Sequence, residues 1–196
     1  MGASVNGIFL AGAVSTVRQA IREGRVLREQ VEVRLAAGDV PFLDEKVDPA
    51  LWYPVATLGH FLDVLADLHG GDRRDALVGI GRAAADMAAR TGRYPQLDRD
   101  RKAGDSPAGV LRYGRLVTSV ITAFYDFSRM SFGPHPAEPG SFQIDWFDVA
   151  EVPESNRLCA EGFIARVAQY ASEDGLLVRS DRPTPDHIVF TMSARR

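Results

Sequence analysis

The sequence predicts an α+β fold, in which a helical N-terminal part packs on a small antiparallel sheet and a β-α-β-β unit closes the chain. Three observations predict it. Apolar residues recur at helical spacing through the first part, as in Leu51, Val55, Leu58, Leu62 and Leu65. Past residue 141 the rhythm becomes alternation, with Phe142, Ile144 and Trp146 set against Gln143 and Asp145. Finally, two short runs at 176–179 and 187–193 flank a turn carrying Pro183, Pro185 and Asp186, the pattern of an antiparallel hairpin.

The elements follow in order. Ile8-Phe9-Leu10 reads as a short strand, and Val14, Val17 and Ile21 then repeat at helical spacing up to Gly24. A second helix is expected over 26–37, with Leu27, Val31 and Leu35 on one stripe and Gly38 just beyond its end. The helix over 51–68 has Pro54 in its first turn, where a missing N–H is harmless, and His69-Gly70-Gly71 ends it. Asp72 suits the N-cap of a helix reaching Arg90, whose buried stripe is Ala76, Ile80, Ala83 and Met87. A polar loop is expected over 94–106. Ser106-Pro107 opens the next helix, and Val110, Tyr113, Val117, Val120, Ile121 and Phe124 share one of its faces. Residues 133–141 hold three prolines and two glycines and read as a hinge. The helix over 153–172 places Cys159, Gly162, Phe163, Val167 and Tyr170 on one face.

With 196 residues the chain reads as a single domain, 1–196, made of a helical part at 1–132, the hinge at 133–141 and the β-α-β-β part at 142–196. Hydrophobic residues make up 45% and charged residues 25%, which is globular composition rather than disorder. The formal charge is −3 with signs interspersed, so the basic stripe that nucleic acid demands is missing. The densest run, Asp98-Arg99-Asp100-Arg101-Lys102, alternates in sign and reads as a solvated loop. Cys159 is the single cysteine, which excludes an intrachain disulfide and a multi-cysteine zinc site and suits a reducing compartment. The apolar stretch at 7–14 is too short to span a bilayer and lacks a basic flank, so a cytoplasmic location is expected.

Several patterns invite a chemical reading. Gly79-Ile80-Gly81-Arg82-Ala83-Ala84 has the spacing of a dinucleotide fingerprint, but it starts inside a helix rather than after a strand. Close helix packing, with both glycines admitting a neighbouring backbone, is the competing explanation. His60, His69, His135 and His187 form no paired spacing, so no metal site is expected. His60 falls roughly opposite the Leu51–Leu65 stripe, on the outer face or at a second interface. Cys159 has no base near it in sequence and reads as a small buried hydrophobe. Acid pairs such as Asp44-Glu45 and Glu173-Asp174 flank connections and offer no acid–base asymmetry. Aromatic and apolar side chains are the most suggestive feature. Trp52, Tyr113, Val117, Phe124, Trp146 and Cys159 are the candidate lining of an apolar pocket, with ordinary core as the alternative.

The order of segments resembles a family of uncharacterised proteins found largely in myxobacteria. The resemblance rests on Gly7-Ile8-Phe9-Leu10, Leu51-Trp52-Tyr53-Pro54, Gly70-Gly71-Asp72, Ile80-Gly81-Arg82-Ala83-Ala84, Phe142-Gln143-Ile144-Asp145-Trp146, Cys159 to Gly162 and the final hairpin. That family is in turn similar to 4-vinyl reductase domains and haem–nitric-oxide-binding domains. The resemblance implies helices on a small antiparallel sheet, a pocket between the layers for an apolar or aromatic ligand, and a homodimer. Two departures stand out. The relatives' zinc-binding cysteines are represented by Cys159 alone, and Tyr125-Asp126-Phe127-Ser128-Arg129 spaces the residues of a haem-binding Tyr-x-Ser-x-Arg signature differently. No cofactor and no metal are therefore expected. The expected function is a non-enzymatic regulatory or sensory domain binding a small apolar ligand or a protein partner. A pocketless interaction module is one alternative, and an enzyme acting on a tetrapyrrole or aromatic substrate is the other.

Overall fold

Two core clusters share one central helix. The computed structural model describes residues 2–90, 114, 117–171 and 176–194. Strand β1 (Ser4–Asn6) leads straight into α1 (Gly7–Arg22). Ile8-Phe9-Leu10 is therefore helical and not a strand. Asn6 caps the helix by accepting a hydrogen bond from the Ile8 N–H at 3.1 Å, and buried Leu10, Val14 and Val17 extend the helical period back through the run. Gly7 is needed where α1 begins, because a Cβ there would stand 2.2 Å from the Asp48 carbonyl oxygen.

The second helix is shorter than its stripe suggested: α2 spans only Arg28–Glu32. The Arg34 guanidinium takes the Gln30 carbonyl at 2.6 Å, while the Arg34 N–H turns back to Val31. The bond that would continue the helix is thereby lost. A 3₁₀ turn over Val40–Leu43 follows. Trp52–Pro54 forms β2, antiparallel to β1, with Val5 opposite Tyr53. Proline disfavours helical geometry at the residue before it, so Tyr53 stays extended and α3 (Val55–His69) starts after Pro54 rather than at Leu51. Gly70 and Gly71, at φ of 68° and 75°, end α3 in a conformation that side chains disfavour. Asp72 caps α4 (Arg73–Arg90) by accepting from the Asp75 N–H at 2.9 Å. Residues 117–122 form α5, with Val117, Val120 and Ile121 buried together with Phe124 just beyond. The expected loop at 94–106, the cap at Ser106-Pro107, Val110 and Tyr113 lie outside the described residues.

The sheet has four antiparallel strands in the order β3-β4-β6-β5, where β3 is Arg129–Pro134, β4 Phe142–Phe147, β5 Leu176–Thr184 and β6 His187–Ala194. With α6 (Glu154–Ala171), strands β4, β5 and β6 make the β-α-β-β unit, and β3 adds an edge strand before it. The segment read as a hinge holds the end of β3 and the turn into β4, with Gly133 opposite Gln143 and Pro134 opposite Phe142. Pro134 is tolerated because β3 is an edge strand.

Ile144 and Trp146 of β4, Ile188, Phe190 and Met192 of β6 and Val178 of β5 are buried against α5 and α6. The second cluster joins Leu10, Val14 and Val17 of α1 to Leu58, Phe61 and Leu62 of α3, with Leu77 of α4 and Leu158 of α6. Phe9 and Tyr125 touch both clusters. Helix α6 is accordingly buried on nearly every side, which is the mark of a central helix. Its polar residues are held in a network. The Glu161 carboxylate accepts from Arg74 at 2.6 and 2.8 Å and from the Ser180 N–H at 2.8 Å, and Arg157 pairs with Glu154 and donates to the Ser180 carbonyl at 2.6 Å. Helices α4 and α6 cross at backbone contact. A Cβ on Gly81 would sit 1.9 Å from the Cys159 carbonyl oxygen, and one on Gly162 would sit 1.9 Å from that of Val78. Gly79, by contrast, faces open space. The fingerprint-like spacing is thus a helix crossing that uses Gly81 with Gly162 from the other helix, rather than both glycines of the motif.

Candidate functional site

The cavity that defines the candidate site has a volume of about 390 Å³ and lies where the two core clusters meet. Helix α1 contributes Phe9, Gly12, Ala13 and Thr16. Helix α3 supplies Leu58, Leu62 and Leu65, and α4 supplies Ile80, Ala83, Ala84 and Met87. Ile121, Phe124 and Tyr125 close one end, while Asn156, Cys159, Ala160 and Phe163 of α6 form the floor. The small residues Gly12, Ala13, Ala83 and Ala84 leave the volume unfilled. None of the described lining residues belongs to β3–β6, so the cavity lies among the helices and not between helices and sheet. The sheet face of α6 is occupied by Trp146, Phe190 and Ile164.

The cavity also accounts for the apolar stripe of α4. Ala76 is buried as expected, but Ile80 is only half-buried and Ala83 and Met87 are exposed. These three line the cavity, which is why they escape full burial. The face that packs against α6 is instead Leu77, Gly81, Ala85 and Ala88.

Of the six residues predicted from sequence, Phe124 and Cys159 line the cavity. Val117 and Trp146 are buried in the sheet-side core, where Trp146 stacks with Phe190 at 6.2 Å. Trp52 lies on β2, 45% exposed, away from the lining. Tyr113 falls outside the described residues. Sequence reasoning missed Phe9, Ala84, Tyr125 and Asn156. The readable signal was the density of glycine and alanine on the cavity-facing sides of α1 and α4.

The interior chemistry is neutral. Burial pushes the Cys159 thiol up to about 12. Burial also raises the Tyr125 hydroxyl well above its ordinary value, with Cys159 adding to the rise and the Asn156 amide opposing it. The Asn156 Oδ1 is buried with no hydrogen-bond partner among the described residues. Among the described residues the basic side chains of the lining are exposed: Arg25 follows α1, His69 ends α3 and Arg90 ends α4.

The other histidines are occupied elsewhere. His60 Nδ1 lies 2.5 Å from the buried Asp39 carboxylate, which also accepts from Thr57 at 2.7 Å. His187 Nε2 is 2.9 Å from Asp145, and its ring stacks on Phe147. His135 Nδ1 accepts from the Ala137 and Glu138 N–H groups. Among the described residues no cluster of three or more His, Cys, Asp or Glu side chains is placed to hold a metal ion. None of the described helices is long and apolar enough to cross a membrane.

Helices gathered round a central helix, on one face of a four-stranded antiparallel sheet, with a cavity among the helices, define an H-NOX-like fold. The solved structures it matches include the Fe(II) unliganded H-NOX protein from K. algicida, at TM-score 0.63 and 9% identity, covering 97% of both chains. A mutant of the T. tengcongensis H-NOX matches at TM-score 0.62 and 10% identity, covering 97% of this chain and 98% of that one. The S. oneidensis H-NOX in its Fe(II)NO ligation state matches at TM-score 0.59 and 12% identity, covering 97% and 99%. No protein-family model and no curated protein matches the sequence.

Another of these structures concerns heme distortion in the H-NOX family, so the fold raises the question of haem here. Among the described residues Cys159, Tyr125 and His69 do not fit it. An axial ligand must offer a lone pair or an anionic donor to iron from inside the cavity. Cys159 and Tyr125 are both held protonated by burial. His69, the sole histidine of the lining, is exposed at the rim. Arg129, which ends the Tyr125–Arg129 run, points away from the cavity to Asp148 and the Phe147 ring.

Proposed function

We propose that this chain is a non-enzymatic sensory or regulatory domain that binds a small, largely apolar molecule between α1, α3, α4 and α6. The carrying observation is the cavity itself. Its volume of about 390 Å³ falls within the roughly 300–1,000 Å³ typical of small-molecule sites, and its walls are aliphatic and aromatic. The thiol in the described wall, Cys159, is kept neutral, which suits binding and not covalent chemistry. The Gly81–Gly162 crossing ties α4 to α6, and the Arg74–Glu161–Ser180 network ties both to β5, so a guest that moves α4 is mechanically linked to the sheet.

The signal is read out by a homodimer or a protein partner. Exposed Leu51 and Trp52 beside β2, with Leu27 and Val33 around α2, supply apolar contact surface for it. Kinship with the uncharacterised myxobacterial proteins and with 4-vinyl reductase domains, and a cytoplasmic setting, belong to the same proposal; the segments on which that resemblance rests and the single thiol support them.

Native mass spectrometry of the full chain purified from its own host tests the reading. The expected result is a retained small molecule, released on denaturation and absent from an Ala84→Trp variant whose side chain fills the cavity. A ligand equally retained by that variant contradicts the cavity as its site.

A further inference from the structure

The rim and the interior of the cavity differ in one respect that bears on ligand class. The chain carries a formal charge of −3, yet among the described residues of the lining none is acidic and three are basic. Arg25 lies just after α1, His69 ends α3 and Arg90 ends α4, and all three line the cavity. Arg25 lends its Nε to Glu23 at 2.7 Å and keeps its two terminal nitrogens for another partner. Arg90 has no ion-pair partner among the described residues. Two guanidinium groups around an apolar shaft match a carboxylate, because each offers parallel donors in the geometry of its two oxygens.

Resting on the cavity being a ligand site, we propose that its guest is an apolar organic acid, with the hydrocarbon or aromatic body inside and the carboxylate at Arg25, Arg90 and His69. Haem is not this guest, since Cys159, Tyr125 and His69 do not offer it an interior iron donor. Nor is a neutral hydrocarbon, which would leave the basic rim without a role. Recognition of the acid is electrostatic at the surface, so it weakens with added salt, whereas burial of the body does not.

The test is calorimetric titration of the full chain with dodecanoate and naphthylacetate, each beside its uncharged counterpart, dodecanol and naphthylethanol. The expected result is that the acids bind about tenfold more tightly than the alcohols, the size of effect that a pair of charge-assisted contacts at a half-exposed site produces. In the Arg25→Gln/Arg90→Gln double variant the acids fall to the affinity of the alcohols, and the alcohols are unchanged. Both arginines are exposed, so the variant keeps the core intact. Equal binding of acid and alcohol overturns this inference and leaves the apolar site standing. An acid preference that survives in the double variant overturns it as well. Failure of all four compounds to bind overturns both the inference and the reading on which it rests.

Discussion

Replacing Gly81 with alanine should destabilise the protein, although alanine is the better helix former. The helix-propensity gain is about 1 kcal/mol. Against it stands the new methyl group, 1.9 Å from the Cys159 carbonyl oxygen, 2.8 Å from its carbon and 2.9 Å from the Phe163 nitrogen. Ordinary carbon–oxygen contact is about 3.3 Å, so α4 and α6 must part by roughly 1.4 Å. The obstructing atoms are backbone and cannot rotate away. Overpacking of this kind costs about 3 kcal/mol, at the upper end of its usual range, because a gap of even 1 Å forfeits up to half of each dispersion contact along the crossing. The net loss is about 2 kcal/mol, which in urea moves the midpoint down by about 1 M. Gly79→Ala, two positions away in open space, provides the control and should gain about 1 kcal/mol. Gly162→Ala should mimic Gly81→Ala, and the double variant should lose less than the sum, because one separation of the helices relieves both overlaps. Urea unfolding followed by far-ultraviolet circular dichroism measures all four. A Gly81→Ala variant as stable as the parent, or a Gly79→Ala variant as unstable as Gly81→Ala, refutes the reasoning.

Two further outcomes follow from buried polar groups. Glu161→Gln removes the carboxylate that holds Arg74 and Ser180. Arg74 is 43% exposed and can rehydrate, so the loss sits below that of a fully buried pair, at about 2 kcal/mol, or about 4–8 °C in Tm; an unchanged melting temperature contradicts this. Cys159 and Tyr125 both have raised pKa values in the folded chain, so their neutral forms favour folding. That contribution is complete below the ordinary thiol and phenol ranges, begins to be lost above pH 9, where the unfolded Cys159 ionises, and is gone for the thiol by about 12. A Cys159→Ala variant should show a shallower alkaline decline in denaturant titrations than the parent, and an identical decline would be inconsistent with burial of the thiol.

The sequence carried the α+β class because period is a property of local side-chain placement. Val55, Leu58, Leu62 and Leu65 read as one face and are one face. Phe142, Ile144 and Trp146 read as a strand and form one. What escaped was decided by contacts distant in sequence or by single backbone bonds. Trp52 looked helical until proline geometry and pairing with β1 made it a strand. Ile8-Phe9-Leu10 looked extended because three apolar residues in a row carry no period of their own. Strand β3 hid in a glycine- and proline-rich stretch that an edge strand accommodates. The cavity was the hardest feature to read. Sequence shows where apolar side chains are, and a cavity is where they fall short. Trp146 and Val117, large or branched residues on buried faces, were therefore assigned to a pocket when they fill the core, while Ala83, read as part of a buried stripe, and Ala84 help create the space.

The methionine methyl groups report most directly on whether a guest enters this cavity. Met87 lines it, whereas Met130 lies on β3 and Met192 is buried in the sheet core. With the methyl groups labelled with carbon-13, titration with naphthylacetate should move the Met87 resonance in proportion to occupancy and leave those of Met130 and Met192 in place. Movement of Met192 with Met87 fixed would put the guest between helices and sheet and contradict the site described here, as would three resonances that never move.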